Sequence, residues 1–172
     1  MKLKVKFTGK LTKAKTVNEL VFVKGKKIKN VNANQSLKSV LDNKLFQEQL
    51  FIQKEHKGKN YIFINCKKLS LSSDFESIGS KLFDYLEKNK IENSYINFNT
   101  IDISNVQLEK TIHGAKLKSY NFDTYKSNNK KNKNINLNII GKQIAKSNFL
   151  RKKLDALLDG VFFTRDLVSE PG

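Results

Sequence analysis

Two hydrophobic periods alternate along this chain. Residues Lys2 to Phe7 read K-L-K-V-K-F, charge and apolar groups in turn, the period-two pattern of a strand with one buried face. Glu19 to Val23 is a nearly continuous apolar run before Gly25-Lys26-Lys27, which predicts a more deeply buried strand and then a turn. Tyr61 to Cys66, Ser94 to Phe98, and Ile135, Leu137 and Ile139 alternating with Asn predict three more strands. Phe51 to Gln53 predicts a short strand entering a turn at His56 to Lys59. Between these the spacing lengthens to that of helices. Leu37, Val40, Leu41, Leu45 and Leu50 follow an N-cap candidate at Ser36. Phe75, Ile78, Leu82 and Tyr85 follow Ser73-x-x-Glu76, read as a capping box. Leu108, Ile112 and Ala115 follow Ser104, another cap. A last helix starts between Lys142 and Ser147, with Leu150, Leu154, Leu157 and Val161 as its stripe and Arg151 with Asp155 as an i,i+4 pair. Pro171 cannot continue it.

Strands alternating with helices predict an α/β fold, a mixed or mainly parallel central sheet flanked by helices. Residues 1–141 are read as this body and residues 142–172 as a C-terminal helix with the start of a linker. No run of apolar residues approaches the roughly 20 that span a bilayer, and the charged start lacks the apolar block of a signal peptide. Cys66 has no second cysteine to pair with. These features fit a cytoplasmic protein with no membrane partner.

The net charge of +17 invites a nucleic-acid reading. Yet only Arg151 and Arg165 among the 33 cations are arginine, the residue whose planar fork suits phosphates and bases. Lysine is spread through the chain alongside abundant Asn and Ile, a pattern of AT-rich coding more than of a binding face. The stretch Ser127 to Asn134, S-N-N-K-K-N-K-N, has no apolar residue and reads as a solvated loop. If the chain does touch DNA, Lys126, Lys130, Lys131 and Lys133 are the first candidates, contacting phosphate without reading sequence. A stand-alone basic domain that binds nucleic acid non-specifically therefore stays open as an alternative.

Candidates for chemistry are few. His56, His113 and Cys66 show no metal-ligand spacing. Cys66, at the end of an apolar run, reads as a small buried side chain rather than a nucleophile. Gly141-Lys142 follows a strand, but Asn136 and Gln143 stand where a phosphate-binding loop needs Gly and Ser or Thr. Asp166 and Glu170 lie four apart beside Arg165, a pairing read as structural.

The strongest signal is a resemblance. Arg165-Asp166-Leu167, then Glu170-Pro171, resembles the R-D-L…P-x-N signature that ends the interdomain helix of leucyl (cytosol) aminopeptidases. Gly114 to Lys126, G-A-K-L-K-S-Y-N-F-D-T-Y-K, is similar to that family's G-A-x-L-x-S-Y-x-F-D-x-Y-K. Ile78-Gly79-Ser80-Lys81 falls where the family has a glycine-containing helix. One departure is Asn65-Cys66-Lys67, where the family has G-L-G. The resemblance covers residues 61–172 with landmarks; before that it rests on element order.

It implies a macro-domain-like, non-catalytic N-terminal domain, ending before the catalytic domain of a peptide-turnover hydrolase. It assigns Arg165, Asp166, Leu167 and Pro171 to interdomain structure. It implies no catalytic, cofactor or metal residue in this chain; two divalent metals, Zn or Mn, belong to the other domain. The implied partners are that catalytic domain and the other subunits of a homo-hexamer. By itself the chain is not expected to hydrolyse peptides.

Overall fold

The structure, a computed structural model, describes residues 3–8, 18–24, 38, 40, 48–67, 69–120, 134–141 and 148–169. In chain order the elements are β1 (Leu3–Thr8), β2 (Asn18–Val23), β3 (Phe51–His56), β4 (Lys59–Asn65), α1 (Ser72–Lys88), β5 (Asn93–Asn97), α2 (Asn105–Lys118), β6 (Ile135–Ile140) and α3 (Asn148–Ser169). The strands form one six-stranded sheet in the order β1-β6-β5-β2-β4-β3. Every neighbouring pair is parallel except β3 with β4. The expected mixed α/β sheet is therefore what forms.

Strand periodicity sorts the side chains onto two faces. One carries Leu3, Leu20, Phe22, Ile62, Ile64, Ile96, Ile135, Leu137 and Ile139, all buried with the apolar sides of α1 and α2. On the opposite face Val21, Val23, Tyr61 and Phe63 pack with Val40, and Ile52 joins their edge. Lys38, Val40 and Glu48 are helical; the rest of the helix expected after Ser36 lies outside the described residues. Leu50 does not belong to that helix. Its carbonyl accepts from Asn65 N at 2.9 Å, which places it at the start of β3.

β3 runs three residues beyond the expected Phe51–Gln53. Its register with β4 pairs His56 with Lys59, across a turn in which Lys57 (φ 50°) and Gly58 (φ 71°) are both left-handed. This is the two-residue turn whose twist matches a hairpin. The polar end of an edge strand carries no apolar alternation, so its length was hidden.

α1 begins differently from the expected Ser73 cap. Leu71 is its N-cap, and Asp74 Oδ2 accepts from Leu71 N at 2.9 Å and from Ser70 N at 3.2 Å. Ser73 lies inside the first turn, and Glu76 turns towards Lys110 on α2 (3.5 Å). α2 starts as expected. Ser104 Oγ accepts from Gln107 N (3.3 Å), and Gln107 Oε1 accepts from Ser104 N (2.9 Å), a complete capping box. The expected apolar faces hold: Phe75, Ile78 and Leu82 on α1, and Leu108, Ile112 and Ala115 on α2, are buried.

The two helices cross closely because each is glycine at the contact. A Cβ on Gly79 would stand 1.9 Å from the Thr111 carbonyl oxygen, and one on Gly114 would stand 1.9 Å from that of Glu76. Both glycines are landmarks of the sequence resemblance, so that resemblance marks a packing contact. After β4 the chain leaves without a glycine. Neither Asn65 nor Lys67 has positive φ, and Asn65 Oδ1 accepts from Lys67 N at 3.2 Å, a local turn that Asn makes with its own side chain.

Candidate functional site

The feature that stands out against this body is α3, 22 residues long. Its inner side meets the end of α2 through a small cluster. Phe162 stacks on Tyr120, with ring centroids 5.1 Å apart and planes 17° apart. The Arg165 guanidinium lies over the other part of this cluster, 5.5 Å from the Tyr120 ring centroid, and its Nη1 donates to the Leu117 carbonyl at 3.4 Å. Tyr120 Oη donates a short hydrogen bond to Asp166 Oδ1. About two turns of helix before Phe162, Lys116 Nζ is paired with Asp155 Oδ1, and Leu158, on the same side of α3, is buried.

This cluster has a clear electrostatic consequence. The bond to Asp166 pushes the Tyr120 phenol up to about 12, with desolvation and the nearby carboxylate charge adding to it and Arg165 opposing. An ionised phenol would face a carboxylate, so the neutral phenol is the form that holds the helix.

The phase of α3 differs from the expected stripe. Asp155, Leu158, Phe162 and Asp166, spaced by three and four residues, face the body. Leu157 instead faces out and is 55% exposed, and Val161 lies at the margin. The side chains of Leu150, Arg151 and Leu154 lie outside the described residues, as does the Arg151–Asp155 pair; the partner the structure shows for Asp155 is Lys116. Periodicity left this phase ambiguous because α3 carries Leu157, Phe163, Leu167 and Val168 on its outer side as well as Leu158 and Phe162 on its inner one.

The outer side is thus unlike the surface of an ordinary amphipathic helix. Phe163 is 64% exposed, Leu167 56% and Val168 82%. Ala156, Leu157, Gly160, Val161, Thr164 and Arg165 line a shallow groove along it. Apolar side chains grouped on the outer side of a helix are normally covered by a partner.

A second, polar groove of about 680 Å³ opens between α1, the end of α2 and Arg165, lined among others by Ser73, Ser77, Ser80, Lys118 and Tyr120. Arg165 borders both grooves.

Of the residues singled out from sequence, Arg165 and Asp166 meet at Tyr120, and Leu167 points outward; Pro171 lies outside the described residues. So do Lys126, Lys130, Lys131 and Lys133. The boundary at 141/142 also falls at the edge of an undescribed stretch. Sequence reading missed Tyr120, Phe162 and Lys116 as the partners of the helix, although Tyr120 is the aromatic residue of the S-Y landmark.

Cys66 is fully buried and free, and burial pushes its thiol up to about 12. His113 Nδ1 lies 3.4 Å from Glu76 Oε1 without a hydrogen bond. Among the described residues no three His, Cys, Asp or Glu side chains come close enough to hold a metal ion. Nor is any described helix long and apolar enough to cross a membrane.

No protein-family profile matches the chain. A probable cytosol aminopeptidase of Phytoplasma mali (strain AT) is 37% identical over 76 residues, covering 41% of this chain and 15% of the relative. Among solved structures, a mutant of tomato leucine aminopeptidase matches with a TM-score of 0.62 at 16% identity, over 99% of this chain and 39% of that one. The bottromycin maturation enzyme BotP, in complex with Mn, matches with a TM-score of 0.53 at 12% identity, over 92% of this chain and 32% of that one. The resemblance to leucyl aminopeptidases thus holds in both sequence and fold, and the match spans well under half the length of each relative.

Proposed function

We propose that this chain is the N-terminal, non-catalytic part of a metal-dependent leucyl aminopeptidase, and that its work is structural. The carrying observation is α3: one side is locked to the body by Tyr120, Phe162, Arg165 and Asp166, while the other offers Leu157, Phe163, Leu167 and Val168 to solvent. A helix fixed on one side and apolar on the other is suited to present a rigid face to a catalytic domain. In this reading the neighbouring domain carries two divalent metals that activate water and polarise the scissile carbonyl, and the present domain supports it and the assembly of a cytoplasmic homo-hexamer. Coverage of 99% of this chain but 39% of the tomato enzyme supports a part-to-whole relation.

The test is to read the gene beyond codon 172 and express both products. The reading expects a longer frame whose product releases leucine from a leucyl amide with Mn or Zn, while the 172-residue chain does not. It also expects amides along the outer side of α3 to exchange more slowly in the longer product. A longer product in which those amides exchange as freely as in the short chain overturns the structural role.

A further inference from the structure

We propose that the polar groove between α1, α2 and α3 is a binding site for a single oxyanion, a phosphate or a carboxylate group, centred on Arg165. The inference does not depend on the aminopeptidase reading.

It rests on which charges in the groove are already satisfied. Glu76 faces Lys110 at 3.5 Å, and Lys118 faces Asp84 at 3.3 Å. Asp166, the acid next to Arg165, accepts the Tyr120 hydroxyl at Oδ1 and forms no ion pair with the guanidinium. Arg165 itself has no carboxylate partner among the described residues; its interactions are the Tyr120 ring and one long bond to the Leu117 carbonyl. A guanidinium held by stacking leaves most of its five donors without a partner among the described residues.

The opposite wall supplies complementary donors. Ser73, Ser77 and Ser80 are spaced by four and three residues, so their hydroxyls stand on one side of α1. All three line the same groove as Arg165, and none of their hydroxyls has a hydrogen-bond partner among the described residues. A planar cation with no ion-pair partner among the described residues, in one groove with several hydroxyls, is a donor set that can hold a carboxylate or phosphate in bidentate fashion. Arg165 is also where the polar groove meets the apolar groove of α3, so an occupant here would sit beside whatever covers that helix.

The test is an NMR titration of the 172-residue chain with inorganic phosphate, and separately with acetate, at ionic strength held constant with chloride. The expected result is saturable shifts confined to the Arg165 side-chain N–H and the amides near Ser77 and Ser80. Arg165→Lys should weaken binding about tenfold, the scale of one lost charge-assisted hydrogen bond. Saturation by phosphate alone assigns a phosphate site; saturation by acetate alone assigns a carboxylate site; saturation by both leaves the shared oxyanion chemistry in place. The double variant S77A/S80A, altered only at hydroxyls without partners, keeps the fold and should also bind several-fold more weakly. Shifts that follow chloride equally and spread over the surface lysines overturn the proposal. So does unchanged binding in both R165K and S77A/S80A.

Discussion

The Tyr120–Asp166 bond sets the chemistry of the whole helix contact from one pair of side chains. Asp166→Asn removes the carboxylate that raises the phenol, so the Tyr120 titration, followed by its ring signals, should fall from about 12 towards the ordinary 10.0. A midpoint unmoved by this change would show that burial, not Asp166, raises it. Cys66 makes a second residue-scale prediction. Its thiol is raised from 9.0 to about 12, chiefly by desolvation, so the folded protein favours the neutral thiol. That contribution to stability is fully present below pH 9.0 and is lost as pH rises through about 12. Urea titrations across this window should show a steeper alkaline loss for the wild type than for Cys66→Ala. The native thiol should resist alkylation at neutral pH, because little thiolate exists there.

At the scale of elements, the crossing of α1 and α2 depends on two missing side chains. Gly79→Ala or Gly114→Ala places a methyl 1.9 Å from a backbone carbonyl oxygen of the facing helix. Backbone cannot swing aside as a flexible side chain can, so the helices must separate. Each change should cost about 3 kcal/mol, the upper end of overpacking, read as a lower urea midpoint. The β3–β4 hairpin offers the opposite direction. Lys57 holds φ at 50° without the freedom of glycine, and Lys57→Asn creates the Asn-Gly pair this turn favours. A gain of up to about 1 kcal/mol is expected, part of the left-handed penalty that Asn tolerates better than Lys, visible as a rise in Tm.

At the scale of the molecule, the two sides of α3 should respond differently to the same kind of change. Leu157→Glu with Val168→Glu removes exposed apolar surface and should leave the stability of the 172-residue chain within about 0.5 kcal/mol. It should also reduce self-association, measured by sedimentation, since large exposed apolar patches promote it. Leu158→Ala is buried and should cost about 2–4 kcal/mol. Equal effects at the two sites would mean that the outer side is covered within this chain.

Much of this architecture was legible because period is a local property. Alternation at β1 and β6, the apolar runs of β2 and β4, and the cap at Ser104 each report on a few neighbouring residues, and each marked its element. The landmarks Gly79, Gly114, Tyr120, Arg165 and Asp166 could be picked out one by one in the same way. Their meaning could not, because it lies in pairs distant along the chain. Gly79 matters through Thr111, Gly114 through Glu76, and Arg165 and Asp166 through Tyr120, some 45 positions earlier. The Ser73 cap failed because Asp74 reaches back to the Leu71 and Ser70 amides, so the helix starts before Ser73. The stripe on α3 was misplaced at Leu157 and Val161 because apolar residues stand on both its inner and outer sides, and docking decides between them. Order and type of elements follow from how each short segment buries its own apolar face. Which side of α3 is anchored, and that Arg165 stands between two grooves, is decided only when packing brings α2 beside it.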